Sequence, residues 1–404
     1  MTNKTRIIVI GGGYAGIMTS LRIVGKTKRA ERTVTLINAV DHFVERPRLH
    51  EQATGTNLKG KPIRDMIKGH DIEFVCGWVE KIQPEKSTIM VATEEGKAEY
   101  PYDILVNALG SHVEQQRVPG VGEFAYTLDP YGRLTAKDLE TRLLTLEKRP
   151  FSAIVVGGGA TGVETVTQIK SHYPNCKATI ISQQKVGDFK DDKVQKHISE
   201  ALHEQNIEVI ENTAVLQVVA DGVILKSGKI KADVVIWAGG FVASPLAKEA
   251  GLPVNHVQQT IVDPFLRSVS HPNIYAVGDA ASPAEEPGAP MRMSLFAALV
   301  SGAHAADTIA AQLKGKEPQP FSFAWYGQGI ALGQADAVGF ATYPVDARSG
   351  PIVRGKTAVY IRNFFVWYLK FALELERRFP GFLFWNGKKR YAKQQKESIH
   401  AQQF

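Results

Sequence analysis

Cysteine is nearly absent from this chain: its 404 residues hold two, Cys76 and Cys176, a hundred positions apart. Such a pair builds no disulfide framework and suits a reducing compartment. Long apolar runs are missing too, since no stretch reaches the ~18 residues that a membrane-spanning helix needs. The first strand-like run begins by Arg6, which leaves no room for a leader peptide. A cytoplasmic protein is the expectation, and no metal site is expected. The net charge is +7, and between positions 362 and 397 nine Lys or Arg face three Glu, so the surplus sits almost wholly at the C-terminal end. That distribution argues against a nucleic-acid-binding surface and for one local anionic partner. With 44% hydrophobic and 22% charged residues, the composition is that of a globular protein long enough for two or three domains.

What is present is glycine in two particular places. RIIVIGGGYAG (6–16) and its echo FSAIVVGGGATGVE (151–164) each run from an Ile- and Val-rich segment into a glycine-dense turn and a helix-forming stretch. That order is the strand, turn and helix that open a dinucleotide-binding unit. The first glycine (Gly11, Gly157) permits the tight turn. The second (Gly13, Gly159) lets a pyrophosphate approach the backbone, and the third (Gly16, Gly162) lets helix pack closely on strand. The phosphates then rest on free N–H groups at the positive end of the helix. One copy alone is also compatible with a plain glycine-rich turn; two copies define a fold class.

Further along, VTLIN (34–38) reads as a second parallel strand ending in Asn38, where an acid normally holds the ribose hydroxyls and an amide can also hydrogen-bond. DHFVERPRLHEQATG (41–55) carries Arg46, Arg48 and His50 on a loop entering a helix, with Arg48 either solvated or facing a cofactor. Segments 72–82 and 88–92 read as short antiparallel strands, and YDILVNALGS (102–111) as a buried strand closing on small residues. Residues 118–150, bounded by Pro-Gly and Lys-Arg-Pro with a polar helix between, read as a connection between domains. ATIIS (178–182) and ADVVIWAGG (232–240) then repeat the earlier plan.

With NIYAVGDAA (273–281) the order of five motifs resembles the flavoprotein superfamily with two dinucleotide-binding domains. Over about residues 6–345 it is most similar to the type II NADH:quinone oxidoreductases and related apoptosis-inducing-factor-like reductases. The resemblance implies an α/β fold of two Rossmann-like domains, an FAD domain (1–117 and 255–345) with an NAD(P) domain (118–254) inserted, followed by a C-terminal segment (346–404). It implies FAD and NADH or NADPH as cofactors. The cofactor-binding residues so expected are Gly11, Gly13, Tyr14, Ala15, Gly16, Asn38, Arg48, Val79, Ala108, Gly110, Gly157, Gly159, Gly162, Ser182, Gly239, Gly278, Asp279, Ser294 and Leu295. Asp279 is the acid that in family members bonds the flavin's ribityl chain. Glu164 is the expected catalytic residue, for binding or proton handling near the nicotinamide, or else an acid favoured by the positive end of its helix.

Three departures bear on chemistry. No cysteine pair lies close enough in sequence to form the superfamily's dithiol relay, so reduced flavin must pass electrons directly to an acceptor. The second strand of the NAD(P) unit ends in Ser182-Gln183-Gln184-Lys185 without an acid, an arrangement that tolerates a 2′-phosphate. Phe296 and Val300 stand where the quinone reductases carry glutamines, in an apolar segment (292–304) whose start, 293–296, is expected at the flavin.

Residues 357–379, TAVYIRNFFVWYLKFALELERRF, have helical periodicity. Arg362, Lys370, Glu374 and Arg377 share one side, while Ile361, Phe364, Phe365, Tyr368, Phe371, Ala372, Leu375 and Phe379 form the other. With the basic run GKKRYAKQQK (387–396) behind it, this helix suits the interface of an anionic bilayer; the other reading packs it on the protein or a partner subunit. The leading expectation is an FAD-dependent NAD(P)H dehydrogenase reducing a quinone-like acceptor, peripheral on the inner face of the cell membrane, with a homodimer compatible. The alternatives are a soluble reductase or oxidase acting on another aromatic molecule or dioxygen, and a non-enzymatic redox-sensing flavoprotein.

Overall fold

The computed structural model describes residues 4–283, 292–323, 326–342 and 350–382. Each glycine motif begins in a strand whose last four residues are buried, Thr5–Ile10 and Ser152–Val156. Apolar side chains on both faces need cover on both faces, which a parallel sheet flanked by helices supplies. The first sheet runs in the order Ile274–Ala276, Ile104–Asn107, Thr5–Ile10, Arg32–Asn38, Glu73–Cys76, every pairing parallel. The second repeats it as Tyr126–Thr127, Val234–Trp237, Ser152–Val156, Lys177–Ile181, Glu208–Ile210. Each is accompanied by a three-stranded antiparallel ribbon, Trp78–Gln83 to Gly96–Pro101 and Val215–Val219 to Gly228–Lys231. The α/β fold with a doubled plan is therefore as expected.

Residues 118–150 correct one expectation. Far from merely connecting domains, they add the edge strand Tyr126–Thr127 to the second sheet. They also supply the helix Ala136–Leu146, started by a Thr135–Asp138 capping box. Its Ala136, Leu139, Leu143 and Leu146 are buried in the second core, at the three- and four-residue spacing of one helix face. The polar residues between them had hidden that face. Phe241–Ala243 pairs with Ser111–Val113 and ties the two halves together.

Four helices position the site: α1 (Tyr14–Lys26), α2 (Ala160–His172), α3 (Leu295–Leu313) and α4 (Gly355–Arg378). α1 and α3 meet where a Cβ on Gly302 would lie 2.6 Å from the Ala15 carbonyl. Val300 faces this core and is 3% exposed, so that half of the apolar α3 segment is packing. Leu369, Ala372 and Leu373 bring α4 into the same core.

His304 of α3 lies in this layer, 5.3 Å from the Phe321 ring, with no hydrogen-bond partner for Nε2 among the described residues. Burial pushes its pKa down from 6.5 to about 4, against a smaller upward pull from Asp307. Between those values the unfolded chain binds a proton that the folded one does not, so stability rises with pH there and is lost as pH falls from 6.5 towards 4. Thermal melts of His304→Gln should lose less stability than wild type between pH 7 and 4.5. Parallel losses in the two proteins would refute this assignment.

Candidate active site

Both glycine turns open at the carboxyl ends of their sheets, where α/β folds bind ligands. Gly11 and Gly157 take φ of +103° and +126°, and a Cβ on either would strike the carbonyl of Ala108 or Ala238. Gly16 and Gly162 have the same relation to the carbonyls of Gly11 and Gly157. Gly13 and Gly159 differ: nothing lies within 4 Å of the Cβ each lacks, and each stands at the N-terminus of its helix. A turn that is crowded at its first and third glycines and open at its second is shaped for a pyrophosphate.

Around the first turn the expected residues converge. Asn38 Oδ1 accepts from Gly12 N at 2.8 Å and its Nδ2 donates to the Val40 carbonyl at 2.9 Å, so this amide also fixes the turn. Tyr14 is buried edge-on against Phe43 at 4.7 Å, its hydroxyl without a hydrogen-bond partner among the described residues. Ala15 is buried beside Gly278, whose φ is +62° and whose N–H donates to Ser301 Oγ at 2.8 Å. Asp279 accepts from Ser111 Oγ at 2.7 Å. Burial pushes its carboxyl pKa up, with Ser111 and Arg46 opposing. A deep carboxylate with so few donors costs free energy until a hydroxyl-bearing ligand supplies more. Ala108 and Gly110 flank the turn before Ser111; Ser294 caps α3 by accepting from Ala297 N at 3.2 Å, with Leu295 next to it. Val79 is buried within the first ribbon. In the second domain Ser182 Oγ accepts from Gln184 N at 3.2 Å and abuts Gly158, and Gly239 lies against the Trp237 ring. Gln183, Gln184 and Lys185 are exposed beside Ser182.

Glu164, one turn into α2, has partners that its sequence context did not announce. Its Oε1 accepts from Ala331 N at 3.0 Å and from Arg362 Nη2 at 3.1 Å. Arg362 Nη2 also meets His50 Nε2 at 3.4 Å, and its Nη1 lies 3.6 Å from Glu51 Oε1. Arg48 is neither plainly solvated nor free: it bonds Glu51 at 2.6 Å and reaches Glu45 at 3.4 Å. Arg48, His50, Glu51, Ala331 and Arg362 line a cavity of about 490 Å³ between α2, the hairpin of Tyr326–Ala331 and Ala337–Thr342, and α4, with Gln168, Gln334, Asn363 and Trp367 also on its wall.

α4 reverses the sidedness that an interfacial helix with a solvated basic face would have. Its charged side is turned inward: Arg362 to Glu164, Lys370 to Glu45 at 2.9 Å, Glu376 to Arg22 at 3.3 Å. Ala372, grouped from the sequence with the aromatic side, is buried. Tyr360, Phe364 and Trp367 are 74%, 54% and 52% exposed, with Ile361, Phe371 and Phe379 beside them. The run 387–396 lies outside the described residues. Among the described residues no helix is long and apolar enough to cross a membrane, and no group of side chains is arranged to hold a metal.

Two phosphate-shaped turns, a deep Asp at the sheet edge and a doubled parallel plan define an NAD(P)H-dependent flavoprotein oxidoreductase. The chain belongs to the pyridine nucleotide-disulphide oxidoreductase family, whose model matches residues 5–303; its members use FAD and NADH. The chain is 25% identical to a type II NADH:quinone oxidoreductase of Staphylococcus haemolyticus, across 89% of this chain and 94% of that one. In fold it is similar to the sulfide:quinone oxidoreductase of Aquifex aeolicus, with a TM-score of 0.77 at 20% identity over 94% and 93% of the chains. NDH2 of Plasmodium falciparum in complex with NADH gives 0.75 at 19% identity over 94% and 99%. Cys76 is exposed and Cys176 is buried in the second core, its thiol pKa pushed up to about 12 by burial.

Proposed function

We propose that this enzyme is an FAD-dependent NAD(P)H dehydrogenase that reduces a quinone-like acceptor at a membrane surface: NAD(P)H + H⁺ + quinone gives NAD(P)⁺ + hydroquinone. The observation that carries the reading is α4, which presents aromatic side chains outward beside a cavity that its inward side helps to line. A lipid-soluble acceptor needs that juxtaposition, and Trp367 takes part in both surfaces. Membrane attachment here rests on the outward face together with the basic C-terminal residues.

The residues around the first turn suit FAD. Gly11 to Gly16 would cradle its pyrophosphate, with Asp279 and the Tyr14 hydroxyl offering polar contacts and α3 directing its N-terminus, through Ser294 and Leu295, towards the same region. FAD supplies the relay that takes two electrons from the nicotinamide and passes them on. Gly157 to Gly162 would hold the nucleotide, and Glu164 orients the cluster joining this helix to the cavity wall. Residues 1–117 and 255–345 form the FAD domain in this reading, and 118–254 the NAD(P) domain. Without an acid at Ser182, and with Lys185 exposed nearby, NADPH serves as donor beside NADH.

The test is anaerobic reduction by NADH or NADPH in a stopped flow, followed by mixing with a soluble quinone or with oxygenated buffer. Both nucleotides should bleach the flavin, and quinone should restore it much faster than oxygen does. If neither acceptor restores it quickly, the quinone reading falls.

A further inference from the structure

Arg362 has more hydrogen-bond donors than its partners use. A guanidinium carries five N–H groups in a fixed fork. Here Nη2 serves Glu164 and His50, while Nη1 stands 3.6 Å from Glu51, too far for a good hydrogen bond. No hydrogen bond from Nε is seen among the described residues. Yet the side chain is only 10% exposed and lines the cavity of about 490 Å³. A buried cation with idle donors on the wall of a ligand-sized hollow is a ready site for an oxygen atom.

The surroundings say which kind of oxygen. The cations on the wall are compensated, Arg48 by Glu51, Lys370 by Glu45 and Arg362 by Glu164, and Asp336 adds a further acid, 3.0 Å from the His197 ring. Burial lowers the pKa of His50, with Glu164 and Glu51 pulling up and Arg362 and Arg48 pushing down. An anion would meet four carboxylates against three cations, whereas a neutral carbonyl meets donors and carries no charge for those carboxylates to repel. Gly329 makes room for the arrangement, since a Cβ there would lie 3.3 Å from Arg362 Cγ.

We propose that Arg362 is the acceptor-binding residue, donating to a carbonyl oxygen of a neutral quinone ring seated in this cavity while Glu164 and Glu51 hold the guanidinium in place. The assignment rests on the quinone reading above. As the ring is reduced, the hydride equivalent from NAD(P)H supplies both electrons and one proton, and solvent supplies the second. Arg362 gives up no proton; it stabilises the negative charge that builds on the carbonyl oxygen.

The test uses the FAD-loaded full chain and 2-methyl-1,4-naphthoquinone, with binding followed by quenching of tryptophan fluorescence. Trp367 lines the cavity, so Trp367→Phe should remove most of the quenching. Arg362→Lys keeps the charge and loses the fork, and Gly329→Val keeps the arginine but displaces its stem. Each should weaken quinone binding about tenfold and raise the quinone KM at least as much, with FAD content and melting temperature serving as folding checks. Binding of wild-type strength in both variants, or full quenching in Trp367→Phe, overturns the assignment. If quinone still restores the reduced flavin rapidly when that happens, only Arg362 has been misassigned; if it does not, the quinone reading has fallen too.

Discussion

A Gly159→Val protein should purify folded and yellow, yet its flavin should stay oxidised when NADH or NADPH is added. Gly159 has φ −76° and ψ −176°, an extended conformation open to any residue, and nothing lies within 4 Å of the Cβ it lacks. The isopropyl group therefore disturbs only what approaches from outside, a pyrophosphate on the N-terminus of α2. Anaerobic titration should show nucleotide affinity lowered by a hundredfold or more, with flavin content near wild type. Gly162→Val gives the contrast, because its Cβ meets the Gly157 carbonyl and the strain falls on the fold. Overpacking of that kind costs about 1–3 kcal/mol, or roughly 2–12 °C of melting temperature at this domain size. Normal reduction of Gly159→Val by either nucleotide would show that the second turn does not carry the donor.

The same geometry shows why the two nucleotide units were legible in the sequence. A parallel strand buried on both faces must be a continuous apolar run, and the third glycine of each motif is set by a carbonyl a few residues away, as between Gly16 and Gly11. Such information is local. The cluster at Glu164 was not legible, because Arg362 lies 198 residues beyond it and 312 beyond His50. Periodicity divided α4 into a charged and an aromatic side, but which side faces inward depends on Glu45, Glu51, Glu164 and Arg22, all supplied by distant elements. The helix within 118–150 was legible, but the buried face of Ala136–Leu146 was obscured for a related reason: it becomes meaningful only once the second sheet is there to receive it.

Replacing Phe364, Phe371 and Phe379 together by Glu should abolish flotation with anionic liposomes while leaving the enzyme folded and flavin-loaded, because none of the three lines the cavity. These side chains are 54%, 39% and 61% exposed, so the substitutions remove little of the core. Inserting such a side chain into an apolar phase is worth about 1.5–3 kcal/mol, so three of them carry an attachment of order 5–9 kcal/mol that glutamates both forfeit and oppose by charge. Deleting the chain from Thr357 onward would be a poorer experiment. It would remove Leu369, Ala372 and Leu373 from the core and take Glu376 from Arg22, a cation buried to 3% side-chain exposure. Loss of one partner from a buried pair typically costs about 3–5 kcal/mol, so failure to float could then mean failure to fold. Turnover separates the remaining possibilities: with a water-soluble quinone the triple-Glu protein should work, whereas with a long-chain quinone embedded in liposomes its rate should fall at least tenfold. Flotation equal to wild type would mean that the outward face of α4 is not the membrane anchor, and that its aromatic side chains meet another surface, such as a second copy of this chain.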